Sequence, residues 1–102
     1  MKLNWLKCKI KIDEENRKLW YLNYTEAYFK IGWCNDALKK YEEAIEPLEE
    51  AIKINPKYAN AHYNLGLVYH ELGAKDAAMK EYEVLKELNT SLAEQLLKII
   101  GE

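Results

Sequence analysis

His62 and His70 are the two histidines of the chain, and their spacing limits what they can do together. A pair that grips a metal from one helix face stands four residues apart, whereas these stand eight apart. Cys8 and Cys34, the two cysteines, make neither a disulfide framework nor a metal cluster. Cys34 has no base near it in sequence with which to form a nucleophilic pair. No glycine-rich phosphate loop and no Ser/His/Asp grouping is present. Glu42-Glu43 and Glu49-Glu50 read as solvated helix faces rather than as an acid/base pair. The chain is therefore expected not to be an enzyme, and to use no metal and no cofactor.

What positions these residues is one domain of 102 residues, 49 % hydrophobic and 31 % charged, the balance of a folded rather than a disordered chain. Gly and Pro are scarce (4 and 2), which favours helix throughout. The net charge of −2 is uneven: residues 1–18 carry +3, leaving −5 for the remainder. Lys2, Lys7, Lys9 and Lys11 are too few to mark a nucleic-acid surface and read as one solvated helix face. Lysines interrupt residues 1–12, so no signal peptide is read there, and no stretch approaches the roughly 20 apolar residues that span a membrane. The expected setting is reduced and cytoplasmic.

The chain also matches itself. Ile31-Gly32-Trp33-Cys34-Asn35-Asp36-Ala37-Leu38-Lys39-Lys40-Tyr41-Glu42 lies over Leu72 to Glu83 at a constant offset of 41, and Asn23 and Tyr28 fall on Asn64 and Tyr69. Repetition on this scale means one supersecondary unit stacked on copies of itself. In the second copy, Ala61, Leu65, Val68, Tyr69 and Leu72 recur at helical spacing up to Gly73. Asp76 is placed to cap a second helix burying Ala77, Ala78, Tyr82, Leu85 and Leu88. In the first copy, a helix from about Arg17 carries Leu19, Trp20, Tyr21, Tyr24, Ala27, Tyr28 and Ile31 and ends at Gly32. Asn35 then caps a helix burying Ala37, Leu38, Tyr41, Ala44 and Ile45. Residues 2–12 read as the tail of an earlier second helix, with a strand as the alternative. Thr90-Ser91 is placed to cap a last helix, 91–100, whose Leu92, Leu96, Leu97, Ile99 and Ile100 cover the end of the stack.

The second copy resembles the tetratricopeptide repeat, a helix-turn-helix unit of about 34 residues. His62 stands where Trp is common, followed by Leu65-Gly66, Tyr69, Gly73, Ala78, Tyr82 and Leu85, with Thr90 where the unit ends in Pro. The resemblance covers about residues 17–100 and implies an all-α fold. Its helical hairpins stack as a short right-handed α-solenoid of about six helices. The units are a half-repeat helix (2–12), a first hairpin (17–54), a second hairpin (59–89) and a capping helix (91–100). Gly66 and Ala78 let helices approach closely, and Tyr69 and Tyr82 fill the space between hairpins.

The first copy departs from the family, because its offset to the second, 41, exceeds the family period by a heptad. Two registers fit it. One turns at Gly32-Trp33-Cys34-Asn35 and makes the second helix about two turns too long. The other sets Ala44, Leu48, Ala51 and Pro56 at family spacing, puts Gly32 in the place of Gly66 and turns at Lys39-Lys40. A heptad misses two full helical rotations by only about 20°, so both registers share one apolar stripe. Lys-Lys is a poor turn, so the turn at Gly32 is preferred, with a kink or break expected at Pro47.

By the same resemblance, the first helices of the hairpins line a concave groove. Its lining would be Leu19, Leu22, Glu26 and Phe29, then Asn60, Tyr63, Asn64, Leu67 and His70, then Leu97 and Lys98. This mostly apolar and aromatic set suits a hydrophobic or helical peptide; the other reading is that neighbouring helices bury Leu22, Phe29 and Leu67. Family members that bind a chaperone's C-terminal carboxylate use Lys and Asn at fixed positions. Here Leu22, Glu26, Asn64, Glu94 and Lys98 match those positions, and only Asn64 and Lys98 suit an anion. The expected function is a non-catalytic scaffold or adaptor for a protein or peptide, with neither nucleic acid nor membrane as partner. The alternative is a structural module that forms a homo-oligomer or part of a larger array, with Trp5, Trp20 and Trp33 as a dimer surface.

Overall fold

Lys39 and Gly73, one family period apart, both hold positive φ, at 62° and 78°, and each ends a helix. Around them the same three backbone hydrogen bonds recur. The N–H groups of Leu38, Lys39 and Lys40 donate to the carbonyls of Cys34, Asp36 and Asn35. Those of Leu72, Gly73 and Ala74 donate to Val68, His70 and Tyr69. A left-handed residue followed by a six-to-one bond is the Schellman stop, in which the last carbonyls of a helix find donors. Glycine takes that conformation freely, while lysine there costs about 1 kcal/mol.

The computed structural model describes residues 24–101, which form five helices with no strand between them. They are α1 (Tyr24–Ala37), α2 (Tyr41–Ile54), α3 (Ala59–Glu71), α4 (Lys75–Leu88) and α5 (Thr90–Gly101). Residues 2–12 and the start expected near Arg17 lie outside the described residues. Each helix packs on its neighbour in the chain, and α3 also packs on α1 and α5. The first helices of successive hairpins thus stand side by side, as in a stacked helical-hairpin repeat.

The turn lies at residues 38–40, not at Gly32, and the second helix of the first hairpin is not overlong. α2 and α4 have 14 residues each. The structure repeats at the family period, from Lys39 to Gly73, and the sequence match at 41 is that period plus a heptad. The cause is visible at Gly32, which sits inside α1 against α2. A Cβ built there would lie 2.5 Å from Leu48 Cγ and 3.3 Å from the Ala44 carbonyl oxygen. Gly32 is needed for close approach rather than for a stop. Gly66 has the same task, with Leu96 Cδ2 of α5 2.6 Å from the built Cβ. Gly66 therefore admits the next unit rather than the partner helix of its own hairpin.

α2 runs unbroken through Pro47. Asn35 is buried on α1 instead of capping α2, and its Nδ2 donates to the Glu43 carbonyl at 3.2 Å. Two other expected caps differ. Asp76 lies in the first turn of α4 behind Ala74, which makes no side-chain cap. Asn89, not Thr90 or Ser91, caps α5, with its Oδ1 accepting from the Leu92 N–H at 3.1 Å.

Two apolar clusters hold the stack. Ala44, Leu48 and Ala51 of α2 meet Ala61, Leu65 and Val68 of α3. Ala78 and Leu85 of α4 meet Ala93, Leu96 and Ile100 of α5. Both form between one hairpin and the next helix, so burial ties the units together. Tyr69 borders both clusters, and its hydroxyl donates to Glu49 Oε1 at 3.3 Å. Leu72 and Ala37, expected on buried faces, are exposed because the helices end beside them. Leu97 is exposed too, 40 % accessible on the open side of α5.

Candidate functional site

Among the described residues, no other helix packs over one face of each of the side-by-side first helices. On α1 that face carries Glu26, Lys30, Trp33 and Ala37, with Phe29 and Asp36 along the flank nearer α3. On α3 it carries Asn60, Tyr63, Leu67, His70 and Glu71, and on α5 Glu94, Leu97 and Lys98.

The individual residues sit in different environments. Glu26 pairs with Lys30 at 3.6 Å. Phe29 tilts against the ring of Tyr58, centroids 5.3 Å apart, and packs on the first core cluster. Tyr63 and Leu67 are half-buried against the second cluster. Asn60, Leu97 and Lys98 are exposed and His70 is half-buried. Asn64 is only 7 % exposed, and its amide makes no hydrogen bond among the described residues. Leu19 and Leu22 lie outside the described residues.

The register of the structure adds Lys30, Trp33, Asp36 and Ala37, which correspond to Asn64, Leu67, His70 and Glu71. The match at offset 41 leaves them out, because it sets α1 a heptad off. The pairs Gly32/Gly66 and Ala44/Ala78, each 34 apart, were the signal that could have found them.

Electrostatics singles out two places. Asp36 has its carboxyl raised above the ordinary aspartate range, first by burial and then by the charge of Glu71 across the α1–α3 seam. Nearby, Lys39, Lys40, Tyr41, Glu42, Glu43 and Leu72 line an open cleft of about 350 Å³. The second place is His62, buried on the side of α3 that faces α4. Its Nδ1 lies 2.7 Å from Glu81 Oε1 and its Nε2 2.9 Å from the Pro56 carbonyl oxygen. Both neighbours accept, so the ring is fully satisfied only when both nitrogens carry protons. Burial is the largest influence and opposes the charge. The hydrogen bonds to Glu81 and Pro56, with the charge of Glu81, outweigh it, and the pKa is raised. This is a structural clamp, not a reactive group. Among the described residues no three His, Cys, Asp or Glu side chains are grouped to hold a metal ion. Cys34 is buried inside α1.

Two family models match the chain, one described as TPR repeat over residues 37–73 and one as Tetratricopeptide repeat over residues 59–91. The chain is 34 % identical over 64 residues to Heat shock protein STI1 of Saccharomyces cerevisiae, covering 63 % of this chain and 11 % of that protein. It is 31 % identical over 100 residues to DnaJ homolog subfamily C member 7 of Homo sapiens, covering 83 % of this chain and 20 % of that protein. It is 30 % identical over 76 residues to TPR repeat-containing protein MJ1428 of Methanocaldococcus jannaschii, covering 74 % and 13 %. The matches span at most a fifth of the length of these relatives.

Proposed function

Because the chain belongs to the tetratricopeptide repeat family, we propose that it is a non-catalytic adaptor that holds a segment of another protein across α1, α3 and α5. The observation that carries this reading is the contrast between the faces of these helices. Ala61, Leu65 and Val68 are sealed in the core, while Trp33 and Leu97 remain 51 % and 40 % exposed. Large apolar side chains left open on these helices suit an apolar or helical peptide. Phe29, Tyr63 and Leu67 are half-buried by their own neighbours and offer edges rather than whole side chains. The carboxylate-tail mode is disfavoured. In the register of the structure its five positions are Phe29, Trp33, Asn64, Glu94 and Lys98, and three of these cannot hold an anion.

A photo-crosslinking amino acid at position 67, compared with one at Val84 on α4, tests the reading. Adducts with another protein from position 67 and none from position 84 are expected. Adducts from 67 only to a second copy of the chain, with a dimer by light scattering, would replace the adaptor with self-association.

A further inference from the structure

Resting on that groove, we infer that its turn-side end takes a peptide with a large apolar side chain next to a lysine or arginine. Each of the two helices here brings an apolar residue and, one turn later, an acid: Trp33 then Asp36 on α1, Leu67 then Glu71 on α3. Trp33 is half exposed, and an indole face attracts cations as well as apolar groups.

The two acids lie near one another across the seam, and neither has a cation within ion-pair distance among the described residues. Lys39 and Lys40 line the adjoining cleft, and Tyr41 beside them, which feels the charge of both acids, adds no positive charge. Two like charges held together by the fold repel. A cation between them relieves both, whereas a carboxylate would add a third negative charge.

The buried Asn64 is an independent pointer to a ligand. It lies one turn before Leu67 on the same side of α3, with both its amide donors and its acceptor unused. Neither polar atom is sealed from solvent without a partner. An amide in that state suits the backbone of a bound chain.

The test uses three peptides of equal length with the chain as it is: an amphipathic Leu/Lys sequence, the same with every Lys replaced by Glu, and the same with every Leu replaced by Ser. Affinity is read by fluorescence anisotropy, and location by amide chemical shifts. The Leu/Lys peptide should bind with shifts at Trp33, Asn64 and Leu67, at least about tenfold tighter than the other two, and the preference should shrink with salt. The double variant Asp36→Asn, Glu71→Gln should remove most of the preference for Lys over Glu without lowering the melting temperature. Groove shifts with equal or better binding of the Glu peptide would overturn the charge assignment and leave the adaptor reading standing. Shifts confined to another surface, or none with any peptide, would overturn both.

Discussion

The side-chain amide of Asn35 on α1 donates to the carbonyl of Glu43 on α2, the one carbonyl whose helical donor Pro47 removes. A proline in a helix interior costs about 3 kcal/mol, partly through that orphaned acceptor. Here the neighbouring helix supplies the missing hydrogen, and α2 continues for its full length. The bond also fixes the register of α1 against α2.

Asn35→Ala is expected to destabilise the fold by about 1 kcal/mol, because it removes the hydrogen bond between a buried amide and a carbonyl that has no helical donor. With Pro47→Ala in the background, the backbone N–H restored at that position satisfies Glu43 and the loss should fall well below that. Urea unfolding of the four proteins in a double-mutant cycle measures the coupling. Simple additivity would show that the two residues are unconnected.

Gly32→Ala and Gly66→Ala should each cost about 1–3 kcal/mol by overpacking, since Leu48 and Leu96 are fully buried and have little room to give. Gly73→Ala meets no atom within 4 Å and loses only its φ freedom, about 1 kcal/mol. A melting series that placed Gly73→Ala lowest would contradict this order.

Lys39→Gly should stabilise the protein by up to about 1 kcal/mol, because glycine relieves the positive φ that lysine adopts at the end of α1. Part of the gain is offset by the greater freedom of glycine in the unfolded chain. A shift of the urea midpoint to lower concentration would place the strain elsewhere.

His62 ties stability to pH. Its folded pKa lies above the unfolded value near 6.5, so the native state holds the proton more tightly. The contribution is fully present below about pH 6.5 and is lost as pH rises through the folded pKa. Urea midpoints should therefore fall on going from about pH 6 to pH 8, and Glu81→Gln should flatten the slope. An unchanged slope in that variant would rule the clamp out as its source.

Leu96 packs on Gly66 and is fully buried, and α5 closes the cluster of Ala78 and Leu85. Leu96→Ala should cost about 2–5 kcal/mol. Deleting residues 91–102 should abolish most of the helical circular dichroism, because the end of the stack would lose its cover. A truncated chain as helical as the parent would show that α3 and α4 need no cap.

Helix content, the repeat and the family were legible in the residues, because apolar spacing and glycine placement report one face at a time. His62 stands at the family's Trp position in the sequence, and it is buried inside the hairpin in the structure. The phase of the first unit was not legible. A shift of one heptad leaves the apolar stripe of a helix nearly in place, so the local pattern cannot distinguish a stop at Gly32 from one at Lys39. Glycine also serves for close approach as well as for positive φ, and only packing against Leu48 separates the two uses. That one ambiguity left Trp33 and Asp36 out of the expected groove. Residue spacing alone suffices for stacked helical hairpins and for which helix faces are apolar. Tertiary structure decided where the first hairpin turns, how Asn35 answers Pro47, and that Asp36 and Glu71 share a seam, because each depends on what a neighbouring helix brings within reach.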